Sequence, residues 1–166
     1  ALEEWITQHQ SLVANTACSL ISEQELEKIS QLSTPNQVLA LVKQFEYAEP
    51  APAEGLVLAL DNIQDPGNLG TIIRIADWFG LPKIICSEDT AELYNPKVVQ
   101  STMGSIARVA VTYTRLEEWL AAQRHMKIYA AVLEGRDIRK MEPLANGILL
   151  IGNESKGISP ELLALA

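Results

Sequence analysis

The chain of 166 residues has little of what most enzyme classes need. Cys18 and Cys86 stand alone, without the spacing of a metal site or the clustering of a disulfide framework, so both are expected as buried thiols in a reducing cytoplasm. His9 and His125 have no patterned companions, which removes the commonest general base and metal ligand, and no metal is expected. Basic charge is also short. A net charge of −8 argues against a general nucleic-acid coat, because binding phosphate everywhere needs a basic surface. No apolar run approaches the roughly 20 residues of a membrane span. A basic-then-apolar leader is missing too, so no export signal is visible. There is no G-x-G-x-x-G fingerprint, Gly67 and Gly70 being wrongly spaced for it. With no Walker A loop and no G-x-S-x-G elbow, a dehydrogenase, a P-loop enzyme or a hydrolase has little support.

The charge is unevenly spread. Residues 1–54 carry eight acids against Lys28 and Lys43, whereas residues 55–166 carry thirteen acids against eleven Lys and Arg. Any contact with RNA must therefore be a local patch. Residues 46–54, rich in Pro, Ala and like charge, read as a linker. Before it, Ser22-Glu23-Gln24-Glu25 is a capping box that opens a helix through Leu26, Ile29 and Leu32. Residues 1–8 read as the tail of a helix, Ser11–Ala14 as a short strand and Val38–Val42 as a buried strand. The chain starts at Ala and stops in a helix with no stop signal, so both ends are expected to continue in the whole protein.

After the linker, strands and helices alternate. Apolar runs at Leu56–Leu60, Lys83–Ser87, Ala107–Thr112, Lys127–Leu133 and Ile148–Ile151 read as strands. Helices are expected at Asn95–Met103, from the capping box Thr114-Arg115-Leu116-Glu117 to about His125, and from Ser159. This alternation predicts an α/β fold with a mostly parallel sheet and helices on both faces. The central stretch is Asp61 to Arg74. Asp65-Pro66-Gly67-Asn68 reads as a type II turn, and a helix follows from about Leu69, with Leu69, Ile72, Ile73, Ala76 and Phe79 on one face. Ile75 and Trp78 form a second apolar strip that needs a partner, another helix or another subunit. Gly70, Arg74 and Asp77 share a polar strip. Arg74 is then either a clamp for phosphate or carboxylate beside Asn68, or merely the partner of Asp77 three residues on.

Asn62-x-x-Asp65-Pro66-x-Asn68-x-Gly70-x-x-x-Arg74-x-Ala76 resembles motif 1 of the SpoU/TrmH family, the ribose 2′-O-methyltransferases of the SPOUT superfamily. Ile151-Gly152-Asn153-Glu154-Ser155-Lys156-Gly157-Ile158-Ser159 is similar to its motif 2, and Asn95-Pro96-Lys97 and Ser101-x-x-Gly104 also match. The resemblance covers roughly Ser22 to the end of the chain. It implies S-adenosylmethionine as cofactor, RNA as substrate, a homodimer and a carboxyl-terminal trefoil knot. It also implies that residues 1–45 are the later half of a small RNA-binding domain, and that 55–166 form the methyltransferase domain. The appended amino-terminal domain favours ribosomal over transfer RNA as the substrate. Motif 3, which in the family completes the donor pocket and threads the knot, is absent from this chain; it is expected in the whole protein.

The resemblance also distributes roles. Arg74, Asn68 and Glu154 are the candidate catalytic residues. The resemblance implies that Arg74 helps to deprotonate the ribose hydroxyl; because an Arg stays protonated in ordinary surroundings, the easier role is to clamp the neighbouring phosphate and stabilise charge on the ribose oxygen. Asn68 orders the motif 1 loop or merely closes its turn. Glu154 positions substrate, pairs with Arg74 or caps the next turn. Leu133, Ile151, Gly152 and Asn153 are candidates for the donor pocket, although Leu133 as a lone apolar residue also reads as core. Lys97, Ser101 and Arg136, with Arg74, are candidates for RNA contact; Arg108, Arg139 and Lys140 are weaker ones, since a charged residue is usually just solvated. Ser101 and Gly104 also read as a close helix contact. A transfer RNA methyltransferase, a catalytically idle RNA-binding module and a generic nucleotide-binding α/β protein are the rival readings.

Overall fold

The computed structural model describes residues 2–8, 17–30, 32–45, 55–143 and 146–166. They fall into two units, Ala1–Lys43 and Gln44–Ala166. The expected linker 46–54 and the strand expected at 11–14 lie outside the described residues.

Unit 1 contains α1 (Leu2–Gln8) and α2 (Glu23–Ile29). The capping box at the start of α2 forms as its sequence dictates. The Ser22 hydroxyl accepts from the Glu25 amide at 3.3 Å, and Glu25 accepts from the Ser22 amide at 2.8 Å. The strand expected at Val38–Val42 does not form. No described residue of unit 1 is in a strand, so the segment has no ladder partner, and Leu41 is 95% exposed.

Unit 2 is a five-stranded, wholly parallel sheet made of β1 (Leu56–Leu60), β2 (Lys83–Ser87), β3 (Ala110–Thr114), β4 (Ile128–Ala130) and β5 (Gly147–Ile151). The strand order is β3-β2-β1-β5-β4. The helices are α3 (Pro66–Trp78), α4 (Pro96–Thr102), α5 (Leu116–Ala122) and α6 (Pro160–Leu163). Alternation along β1 sends Leu58 and Leu60 to one face, where Leu69 and Ile73 of α3 and Val98 of α4 cover them. Val57 and Ala59 point to the other face, against Leu116 and Leu120 of α5 and Leu162 of α6. Two cores, one on each face of one sheet, explain why the strands read as unbroken apolar runs.

Four local expectations fail for identifiable reasons. Helix α3 starts at Pro66, not Leu69, so Asp65–Asn68 is a helix entry rather than a type II turn. Asp65 is the N-cap, accepting from the Asn68 amide at 2.9 Å, and Pro66 occupies the first helical position, where its missing N–H costs nothing. The helix ends before Phe79, which is exposed instead of sharing the buried face. The box expected at Thr114 does not cap α5, because Thr114 still pairs with Ser87 in the sheet and no side chain caps the helix. β4 stops at Ala130, and Leu133 is fully exposed on the turn beyond it, so it is not core. The thiols also differ: Cys86 is buried, and burial pushes its thiol up to about 12, whereas Cys18 is exposed.

Candidate active site at the carboxyl edge of β1 and β5

β1 and β5 are neighbours, yet the chain leaves them toward opposite faces: α3 covers one face after β1, and α6 covers the other after β5. Such a switch opens a crevice at the carboxyl ends of the two strands, and open α/β sheets bind ligands there. The two motif-bearing loops meet at that edge. Asn68 Nδ2 donates to Glu154 Oε1 at 2.7 Å, across 86 residues of sequence.

The loop after β1 is fixed on several sides. Asp61 is buried and accepts from the Ser159 amide at 2.7 Å. Asn62 takes a left-handed backbone, φ 56°, its amide donating to Ser87 Oγ and its carbonyl accepting from Asn153 Nδ2, each at 2.8 Å. Asn tolerates that conformation better than most residues. The loop after β5 is folded around Asn153. Its Oδ1 accepts from the amides of Ser155 and Lys156 at 2.9 and 3.0 Å, and its backbone pairs with Gly157 in both directions. Gly152 is required there by the close approach of the chain's own backbone. A Cβ at this position would lie 2.3 Å from the Gly157 carbonyl carbon and 2.4 Å from the Ile158 nitrogen.

Of the candidate residues, the structure brings Asn68, Glu154, Asn153 and Gly152 together. Ile151 ends β5 beside them and is half-buried. Arg74 lies on α3 six residues after Asn68, about 9 Å along the axis, and a helical side chain leans back toward the N-terminus. Its side chain is exposed and makes no hydrogen bond or ion pair with a described residue. The pairing with Asp77 left open above does not occur, because Arg108 takes that carboxylate. Arg108 Nη2 lies 2.6 Å from Asp77 Oδ2, and Ser105 Oγ donates to the same atom at 2.7 Å. Arg108 therefore clasps the 3₁₀ turn Ser105–Ala107 to α3 instead of serving as a free cation for RNA.

That clasp gives a prediction. The Arg108 guanidinium, then the Ser105 hydroxyl, hold the Asp77 carboxyl below its ordinary 3.8. Its contribution is therefore present above about pH 4 and lost as pH falls through the lowered native value. Urea midpoints of wild type and Asp77→Asn should differ at pH 7 and converge below pH 4, and a gap unchanged at pH 3 would refute the assignment.

Lys97 Nζ sits 3.3 Å from Asp65 Oδ2, beside the start of α3, while both remain exposed. Ser101 spends its hydroxyl on the carbonyls of Lys97 and Val98. A Cβ on Gly70 would meet Ser101 Oγ, so this pair is the close contact of α3 with α4. Arg136, Lys140 and Leu133 lie between β4 and β5 and are exposed; Arg139 pairs with Asp137 at 2.8 Å. A cavity of about 360 Å³ lies on the α5–α6 side, lined by Asp61, Glu88, Asp89, Glu117, Glu118 and Glu161 among others. Its single cation, Arg115, is paired with Glu118 at 2.6 Å, so this cavity repels phosphate. Sequence reasoning missed Asp61 as the anchor of the second loop; a carboxylate directly after a buried strand was the available signal.

The site thus has an amide–carboxylate pair across a crevice and, further along α3, a guanidinium with no described partner; none of these groups is a histidine. Such a set can orient a ligand and stabilise charge, which defines a group-transfer or binding site at a sheet switch point, not a hydrolytic triad. The chain belongs to the SpoU rRNA Methylase family, whose model matches residues 55–166. It is 31% identical over 149 residues to the 23S rRNA (guanosine(2553)-2′-O)-methyltransferase RlmP of Bacillus subtilis, covering 88% of this chain and 59% of that protein. An rRNA methyltransferase structure from Sinorhizobium meliloti superposes with a TM-score of 0.80 at 28% identity, covering 98% and 66% of the two chains. The SpoU methyltransferase AviRb from Streptomyces viridochromogenes, solved with AdoMet, gives 0.61 at 28% identity over 70% and 48%. The chain spans just over half the length of the first relatives it matches.

Proposed function

We propose that this protein transfers the methyl group of S-adenosylmethionine to a ribose 2′-hydroxyl of RNA, with ribosomal RNA as substrate. The carrying observation is the Asn68–Glu154 bond at the crevice, with Arg74 exposed and without a described partner six residues further along α3. The names of the relatives support the same chemistry: RlmP is called a 23S rRNA 2′-O-methyltransferase, and AviRb was solved with AdoMet.

The loops after β4 and β5 fit that cofactor. These strands are paired, so exposed Leu133 and half-buried Ile151 supply apolar surface beside the Gly152–Gly157 loop. An apolar floor rimmed by main-chain polar groups suits a purine and its ribose. The bound cofactor would supply an activated methyl on sulfur. The chain then has to orient the acceptor and manage its proton. Arg74, always protonated, clamps the phosphate beside the target ribose and stabilises negative charge developing on its oxygen. Asn68 holds Glu154 through Oε1, leaving Oε2 without a described partner and open to the ribose hydroxyl. Lys97 and Arg136 add phosphate contacts along the rim. Residues 1–45 bind the RNA substrate, residues 55–166 form the catalytic domain, and a second copy of the chain covers the Ile75–Trp78 strip, where Trp78 is 85% exposed. No helix among the described residues can cross a membrane, in keeping with a cytoplasmic enzyme.

The test is transfer of labelled methyl from S-adenosylmethionine to unmodified ribosomal RNA, with transfer RNA as the second arm. Labelled 2′-O-methyl nucleosides should appear in the ribosomal arm. Label in transfer RNA alone moves the substrate assignment, and RNA binding without label leaves an idle binding module. Glu154→Gln keeps a hydrogen-bond acceptor for Asn68 but removes the charge; transfer should fall by about tenfold or more while thermal stability holds.

A further inference from the structure

Tyr94 stands between β2 and α4, its ring packed half-buried on the core of the α3–α4 face. Its hydroxyl reaches a residue 49 positions earlier. The Phe45 amide donates to Tyr94 Oη at 2.8 Å, and Tyr94 Oη donates to the Phe45 carbonyl at 3.1 Å. Both polar groups of one peptide residue are thus held by one side chain, and Phe45 is the second residue of unit 2. The loop that carries Tyr94 is itself stitched to the site. The Ala91 amide donates to the Ile63 carbonyl at 2.8 Å, within the motif 1 loop, and Tyr113 Oη donates to the Ala91 carbonyl at 2.6 Å. Asn95, next to Tyr94, caps α4, from which Lys97 reaches Asp65.

From this geometry we infer that Tyr94 is a positioning residue: it fastens the incoming chain to the catalytic unit at Phe45. The joint between the units is thereby confined to the residues around Lys43–Gln44. Phe45 and β1 are both held on unit 2. The inference rests on the reading that residues 1–45 bind the RNA that unit 2 methylates. A shorter joint raises the effective concentration of one unit's ligand at the other unit's site, with no new contact to that ligand. The Tyr94 hydroxyl is engaged by Phe45 on both sides, so its effect belongs in substrate capture.

Tyr94→Phe removes the hydroxyl and keeps the ring, and the test uses the full-length protein. Hydrogen exchange at the Phe45 amide should be slow in wild type and at least about tenfold faster in the variant, with β1 unchanged. With an in vitro ribosomal RNA transcript, KM should rise roughly three- to tenfold, the range a −3/2 power law gives when a joint of a few residues gains about ten. The turnover number and the affinity for S-adenosylmethionine should not move. Equal exchange in both proteins overturns the tether, whatever the RNA results. Faster exchange with unchanged KM, or with an equal loss of turnover, overturns the positioning role. Wild type that transfers no methyl defeats the methyltransferase reading and the positioning role together, while the exchange data still judge the tether.

Discussion

Arg74→Ala should abolish most methyl transfer while leaving the protein folded and able to bind its donor. The side chain is exposed and bonds to no described residue, so its removal opens no cavity and orphans no buried group. Its neighbours on the polar strip are satisfied without it: Asp77 by Arg108, and Gly70 by its contact with Ser101. Whatever the guanidinium contributes must therefore appear once RNA arrives. Loss of one charge-stabilising donor at a reacting oxygen typically lowers turnover by about 10²–10³-fold. Single-turnover methylation, read beside donor titration and thermal melting, separates the cases. Surviving turnover would remove Arg74 from the chemistry; a large drop in melting temperature would make it a structural residue. Arg74→Lys should recover only a small part, since an ammonium keeps the charge but not the planar fork that grips phosphate.

Gly152→Ala should damage both stability and activity. The added methyl meets backbone, the Gly157 carbonyl and the Ile158 nitrogen, which cannot rotate away as a side chain would. The loop must shift as a whole, and the paired hydrogen bonds between Asn153 and Gly157 go with it. Overpacking of this kind costs about 1–3 kcal/mol, which at this chain length lowers the melting temperature by about 2–4 °C for each kcal/mol. Glu154 is carried on that loop, so transfer should be lost even well below the melting point. Leu133→Ala is the contrast. That side chain is fully exposed, and its removal should leave the melting temperature unchanged while weakening donor binding. An unaltered melting curve for Gly152→Ala would mean that the loop accommodates a side chain the described backbone excludes.

The framework of unit 2 was readable because apolar runs bounded by polar residues carry period and length together. β1, β2 and the extent of α4 follow from them within a residue. Val38–Val42 has the same composition and forms nothing, since a strand needs a neighbour and a run of apolar residues does not name one. Asp65-Pro66 was misread because the same dipeptide opens a turn and caps a helix; the amide of Asn68 decides, and it bonds to Asp65. At the site, Asn68 and Glu154 were recognisable as chemistry through family motifs, but the bond between them was not, because it depends on β5 lying beside β1. The competition of Arg108 with Arg74 for Asp77 was likewise invisible, as it needs the 3₁₀ turn that returns residue 108 to α3.

The strand order has a temporal consequence. β5 is the last strand among the described residues, and it slots between β4 and β1, the first. The crevice therefore has no second wall until the sheet is otherwise built, because pairings so distant in sequence wait on loop closure. On dilution from denaturant, secondary structure and burial should return ahead of enzymatic competence. A fragment stopping before Gly147 would lose the anchors of Asp61 and Asn62 together with the carboxylate that Asn68 holds.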